Sequence, residues 1–179
     1  MKAIHTIFTV WLCLLGTPTA LAHEHGHHQH HAHVHGQAEL EVAVDGANLS
    51  LRLASPLEAV LGFEHAPRSD RERAAAAALR KTLVAGERLF APTAAAGCKL
   101  EESRAISDVL DRKPGAGQDG HGDVVAEYRF ICAGPDKLTG MEVRLFDAFP
   151  KLRRVDARVV NGKGQSARRL TAKMRYLTW

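Results

Sequence analysis

The sequence predicts an α+β fold: a single domain, mainly antiparallel sheet with one short and one longer helix, after a disordered His-rich N-terminal tract. Several short runs alternate apolar with polar residues, which is typical of strands with one buried face. Two Ser-x-x-Glu signatures between the first and the later runs predict two helix starts. Helices grouped between two sets of strands favour α+β over a parallel α/β architecture. The domain is expected to span residues 37–179.

The N-terminal residues 1–22 have the features of an export signal. Lys2 supplies a positive start, residues 7–15 form an apolar run too short to span a bilayer, and Ala20-Leu21-Ala22 is an A-x-A cleavage pattern. We therefore expect cleavage after Ala22. Because no second long apolar stretch follows, we expect no membrane insertion of the mature chain.

The elements of the domain are predicted in order from periodicity and turn chemistry. Residues 38–44 and 49–53 alternate around the turn Asp45-Gly46-Ala47-Asn48 and predict a hairpin. Ser55 is expected to cap a short helix that ends at Gly62, and Ser69 a longer one that runs to about Phe90. Later strands are predicted over residues 124–132, 141–145 and 155–159, and a final segment follows the turn at residues 162–164.

Charge and cysteine content narrow the class of protein. The formal net charge is +4, and basic residues are mixed with acidic ones without an aromatic stripe, which argues against a nucleic-acid partner. Cys98 and Cys132 are the two cysteines after the signal. In an exported chain an even pair predicts a disulfide, and a free reduced pair is the alternative.

The His-rich tract (residues 23–36) is the strongest functional signal. Its histidines are His23, His25, His27, His28, His30, His31, His33 and His35. Imidazole is the commonest biological metal ligand, and overlapping His-x-His pairs offer many alternative chelates for Zn²⁺. Such redundancy suits capture and hand-over of the ion. A solubilising tail or an expression tag is the alternative, but a tag usually carries consecutive histidines, whereas these are interrupted.

Other residues could form a more ordered site. His33 and His35 lead directly into the first strand, where alternation places both on one side of the chain. Asp119, His121 and Asp123 alternate in a Gly-rich loop and could hold zinc, or could belong to a solvated turn. His65 lies between a helix end and Pro67, where a capping or packed role competes with metal binding.

The predicted mature N-terminus offers a different metal site. Cleavage after Ala22 would leave a free amine with His25 at the third position. The amine, two backbone amides and the imidazole would supply four planar nitrogens, which Cu²⁺ and Ni²⁺ favour over zinc. A copper- or nickel-binding periplasmic chaperone is therefore an alternative function.

Enzyme motifs are mostly absent from the sequence. It contains no Gly-x-Ser-x-Gly or Walker pattern. A zinc-dependent hydrolase that uses the His121 loop would need three fixed ligands, a water position and a general base, which the spacing does not indicate. We therefore expect a binding protein rather than an enzyme.

Several motifs are spread over nearly all of the mature chain: Ala32-His33-Val34-His35-Gly36, Ser55-Pro56-Leu57, Gly62-Phe63-Glu64-His65-Ala66-Pro67, Gly97-Cys98, Gly120-His121-Gly122-Asp123, Tyr128-Arg129-Phe130-Ile131-Cys132, Leu145-Phe146 and Phe149-Pro150. They resemble motifs of the ZrgA-like family of periplasmic, zinc-regulated zinc-binding proteins. The resemblance implies a periplasmic protein that binds zinc and assists its uptake beside an ABC importer or its solute-binding protein. Family members often carry a long His/Asp/Glu-rich insertion before the Gly-His motif. Here residues 110–123 hold only His121, so the N-terminal tract would have to supply most sites.

Overall fold

A six-stranded sheet forms the centre of the computed structural model, which describes residues 35–111 and 122–179. Its strands are β1 (Gln37–Asp45), β2 (Asn48–Pro56), β4 (Cys98–Ile106), β5 (Asp123–Cys132), β7 (Arg154–Asn161) and β8 (Gly164–Leu170), in the order β4-β5-β2-β1-β7-β8. A three-stranded sheet consists of β3 (Phe90–Pro92), β6 (Gly140–Val143) and β9 (Tyr176–Thr178). The helices are α1 (Leu57–Val60), α2 (Asp70–Val84), α3 (Gly86–Leu89), α4 (Asp108–Asp111) and α5 (Leu145–Ala148). The predicted α+β class is confirmed.

The predicted hairpin is formed by β1 and β2. The strands pair antiparallel from Asp45 opposite Asn48 to Glu39 opposite Ala54. Gly46 has a φ of 53°, a conformation that glycine adopts without a steric cost. The hairpin is therefore closed by the turn that the sequence indicated.

One pairing in the sheet is parallel. β1 runs parallel to β7, with Gln37 opposite Arg154 and Val42 opposite Val159. The other strand pairs of both sheets, among the residues described, are antiparallel. β1 is thus a central strand that joins the N-terminal hairpin to the C-terminal pair β7 and β8.

A single apolar core lies between the two sheets and the helices. Alternate residues of β1, β2, β5 and β7 are buried, as the period of a strand requires. They share one cluster with Leu79 and Leu83 of α2, with Leu89 and Phe90, and with the buried residues of β6 and β9. α2 therefore packs its buried residues Leu79 and Leu83 into the same core as the sheet.

The opposite face of the large sheet carries alternating charges. One register row reads Arg104, Glu127, Arg52, Glu41 and Arg158 across five strands. Arg104 pairs with Glu127, and the nearest charged atoms of Arg52 and Glu41 are 3.6 Å apart. These charges largely neutralise each other, so this face offers few free ligands.

Two helix boundaries differ from the predictions. α2 starts as expected, since the Ser69 hydroxyl accepts a hydrogen bond from the Glu72 N–H, but it ends at Val84 instead of about Phe90. The chain then changes direction at Gly86, where a Cβ would lie 2.6 Å from the ring of Tyr128. Ser55 does not cap α1, because it is buried in β2 and its hydroxyl donates to the Pro56 carbonyl.

The predicted disulfide is present. Cys98 and Cys132 lie opposite each other at one end of β4 and β5, and their sulfurs are bonded. The bridge ties the edge strand β4 to β5. Within the described ranges, no helix is both long and apolar enough to cross a bilayer.

Candidate metal site at one end of the sheet

The antiparallel pairing brings three segments to the same end of the large sheet. β1 begins there at Gln37, β2 ends there at Pro56, and β5 begins there at Asp123, directly opposite Pro56. His35 precedes β1, and α1 follows β2 without a break. We call this the donor end of the sheet, because side chains with metal-binding atoms lie on these segments.

His35 and Glu58 are the closest pair of such groups. The His35 Nδ1 and the Glu58 Oε2 are 3.4 Å apart, although the residues are 23 positions apart in the chain. The His35 side chain is 82% exposed and that of Glu58 29% exposed. Because a carboxylate only accepts hydrogen bonds, Nδ1 carries the proton when this contact is a hydrogen bond. The pair is accessible to an ion from solvent.

The chain before β5 packs tightly on the segment after α1. The Gly122 carbonyl accepts a 2.7 Å hydrogen bond from the Leu57 N–H. A Cβ at Gly122 would lie 2.5 Å from the Glu64 carbonyl oxygen and 2.7 Å from Leu57 Cδ1. Real Cβ atoms do not approach so closely, so only glycine fits without a backbone shift. This close contact holds the start of β5 against the segment that carries His65.

His65 is oriented by two contacts. Its ring stacks on Phe63 with centroids 5.0 Å apart, and its Nδ1 lies 3.0 Å from the Ala66 carbonyl oxygen. A carbonyl accepts only, so Nδ1 carries the proton in this hydrogen bond and Nε2 keeps its lone pair. Metal-binding histidines typically donate their second nitrogen in this way. The half-buried His65 thus has both a packing contact and a potential ligand atom.

Charged groups border the donor end. A Cβ at Gly62 would lie 2.9 Å from the Lys151 ammonium, and one at Gly36 would lie 3.4 Å from the Arg153 side chain. Neither cation forms an ion pair within the described residues. Nearby, the Arg68 N–H donates a 2.6 Å hydrogen bond that lowers the pKa of the Glu72 carboxyl. The donor end therefore combines acidic and imidazole groups with a basic border.

The predicted ligands are divided between the described and the other parts of the chain. His35, His65 and Asp123 are described, and Asp123 is the exposed first residue of β5. The remaining predicted ligands, His23, His25, His27, His28, His30, His31, His33, Asp119 and His121, lie outside the described residues. Among those the structure describes, no three His, Cys, Asp or Glu side chains are grouped closely enough to hold a metal ion.

Sequence reasoning missed Glu58. Its position after Ser55 was explained by a helix cap, which the structure does not contain. The predicted hairpin was the signal that could have identified Glu58. A residue just before β1 and one just after β2 must meet at the same end of two antiparallel strands.

The fold and the donor end define a small α+β protein with accessible imidazole and carboxylate groups beyond one end of its sheet. Residues 32–179 match the family described as ZrgA family zinc uptake protein. The chain therefore belongs to the ZrgA family, which is named for zinc uptake and not for an enzymatic activity. A comparison with curated proteins finds no match.

Proposed function

We propose that the protein captures Zn²⁺ in the periplasm and passes it to an ABC importer or to the importer's solute-binding protein, without chemical turnover. The observation that carries this proposal is the pair His35 and Glu58 at the donor end. Membership of a zinc uptake family supports the identity of the ion. The disulfide supports an oxidising compartment.

The spacing of the pair suits zinc. Two ligand atoms at about 2.0 to 2.1 Å from a tetrahedral zinc ion are about 3.3 Å apart. The His35 Nδ1 and the Glu58 Oε2 are 3.4 Å apart. Zinc would bind Nδ1 in the neutral tautomer that carries its proton on Nε2, and the separation of the two ligand atoms would then change little. Both groups then act as ligands of one ion.

Further ligands are proposed from the same end of the sheet. His65 presents Nε2, because its Nδ1 is engaged by the Ala66 carbonyl. His33 is two residues before His35, and His121 is joined directly to Gly122. One ordered site would draw its remaining ligands from these three histidines.

Charge and exposure favour exchange of the ion over permanent retention. The site has one carboxylate and neutral imidazoles, and no cysteine thiolate, since Cys98 and Cys132 are bonded to each other. The ammonium of Lys151 lies against Gly62 and opposes the charge of a bound cation. Release to a partner is therefore easier than from a closed thiolate site. The His-rich tract would add weaker, interchangeable chelates.

Zinc titration of four proteins tests this function. We expect the mature chain to bind more than one Zn²⁺, and a chain that lacks residues 23–32 to keep one tight site. In that shortened background, Glu58→Gln should weaken the site by about tenfold or more, because the amide still accepts from Nδ1–H but binds zinc poorly. Glu87→Gln, an exposed change on α3, is the matched control.

Two results would contradict the proposal. If the mature and shortened chains bind the same number of Zn²⁺ ions, the tract does not contribute to zinc binding. An unchanged affinity in Glu58→Gln would show that Glu58 only orients His35 and is not a ligand.

Protons should compete with zinc at this site. Imidazole binds metal only when it is neutral, so we expect affinity to fall below about pH 6. Calorimetry at several pH values between 5 and 7 measures this effect. An affinity that does not change over this interval would indicate carboxylate ligands instead.

A further inference from the structure

The C-terminal part of the chain concentrates positive charge. Residues 151–179 contain nine Lys or Arg residues and one acidic residue, Asp156. Some of these cations are paired: Arg154 and Arg169 share Asp156, Arg158 lies near Glu39, and Arg175 binds Asp147.

Other cations of this region are free. Lys163, Arg168 and Lys173 are exposed and form no ion pair with any described residue. They lie just before β8, near its end and in the turn after it. We call residues 163–176 the basic margin.

The basic margin includes an open sheet edge. β8 is the last strand in the sheet order, and within residues 35–111 and 122–179 no strand pairs with its outer side. Six of its seven residues, all but Leu170, are exposed. Its outer backbone N–H and C=O groups can therefore pair with an added strand.

Exposed apolar side chains continue the same margin. Met174 is 63% exposed and Tyr176 70% exposed, next to the free Lys173. Tyr, Met and Arg are residue types that are enriched where proteins bind each other. An open edge, free cations and exposed apolar groups thus occur together.

We propose that the basic margin binds an extended acidic segment of a partner protein, which adds to the sheet as a strand beside β8. The backbone edge would supply the pairing, and Lys163, Arg168 and Lys173 would select carboxylate side chains. A second copy of this chain is disfavoured, since an antiparallel β8 pair would bring like charges together. A lipid surface would leave the backbone edge unused. This proposal is independent of the zinc site.

The probe is a fluorescent peptide of alternating Thr and Glu, about ten residues long, which is the length of a long strand. Its affinity for the mature protein is measured by anisotropy in the presence of a chelator, so that zinc cannot bridge the two. A second peptide of the same sequence carries N-methyl groups at alternate residues and cannot complete the strand pairing. Amide hydrogen exchange of β8 is followed with both peptides.

Two variants separate local from general charge effects. Lys163→Glu/Arg168→Glu/Lys173→Glu removes the free cations of the margin. Arg71→Glu/Lys81→Glu/Arg88→Glu makes the same charge change at exposed cations of α2 and α3. We expect the margin variant to weaken binding by about tenfold or more and the control to change it by less than about threefold.

The proposal predicts slower exchange in β8 with the unmodified peptide and no such protection with the methylated one. Equal affinity of both peptides would overturn it, and so would equal weakening by both variants. Binding to anionic vesicles in preference to the peptide would show that the margin recognises a lipid surface. Aggregation of the margin variant with unchanged peptide affinity would show that the cations only guard the edge.

Discussion

The two ends of the large sheet are built in opposite ways. At one end the chain is covalently closed: Cys98 and Cys132 bridge β4 and β5, and the Cys132 N–H donates to the Ala47 carbonyl in the β1–β2 turn. We call this the disulfide end. At the donor end the segments are held by packing at Gly122, and His35 is largely exposed. The contrast teaches that the covalent constraint and the proposed metal site lie at separate ends, so the bridge can be removed without changing a proposed ligand.

The strongest test of this separation removes the bridge. Cys98→Ala/Cys132→Ala releases a constraint across a sequence separation of 34 residues. The expected loss is roughly 3 to 4 kcal/mol of unfolding free energy, in the chain-entropy account. Urea unfolding measures the loss, and zinc titration of the folded variant should give an unchanged tight affinity. A change in that affinity would mean that the two ends are coupled.

An intermediate loss of unfolding free energy is expected from a substitution at the donor end. Gly122→Ala forces a methyl group into the space beside the Glu64 carbonyl and Leu57. We expect a loss of about 1 to 3 kcal/mol, the usual cost of overpacking, together with weaker zinc binding because the segment that carries His65 must shift.

Gly162→Ala is the matched control, since a Cβ there would meet nothing within 4 Å. Thermal unfolding and zinc titration are compared for both variants. An unaltered zinc affinity in Gly122→Ala would show that the position of His65 does not matter for the site.

The smallest effect concerns pH and the end of α4. The Asp111 carboxylate accepts from the Ser107 N–H and from Arg80, and these contacts lower its pKa from the ordinary 3.8. A lowered pKa gives stability that is present above 3.8 and lost as the pH falls through the folded value. Asp111→Asn should therefore cost up to about 1 kcal/mol at pH 7, since the pair is partly screened, and progressively less toward pH 3.

Asp108→Asn, on the same helix, removes no described hydrogen bond or ion pair and serves as the control. Urea unfolding at several pH values gives the loss of unfolding free energy for each of the two variants. If the loss in Asp111→Asn is the same at every pH, the substitution acts through the stability of the helix and not through the charge of Asp111.

Local sequence signals predicted the elements better than their arrangement. The turn at Gly46 and the cap at Ser69 depend on neighbouring residues, and both are confirmed. β4 was not predicted, because a bulge between Leu100 and Glu102 interrupts its alternation and an edge strand exposes polar residues on both faces. The parallel pairing of β1 with β7 joins residues more than 100 positions apart, and periodicity carries no information about such partners.

The donor end could be predicted only in part. His35 and His65 were identified by residue type. The contact of His35 with Glu58 depends on where two strand ends meet, so it required the register of the hairpin. Residue type also pointed to His33 and His121, which lie outside the described residues.

The parallel pairing of β1 also sets an order of events in folding. The chain can form the β1–β2 hairpin early, because its contacts are local. The other side of β1 must wait until residues 154–160 have been synthesised. Contacts of such high sequence separation slow folding and leave a strand edge open meanwhile. A chain truncated before β7 would keep β1 as an unprotected edge, so the sheet is completed only once β7 and β8 are available.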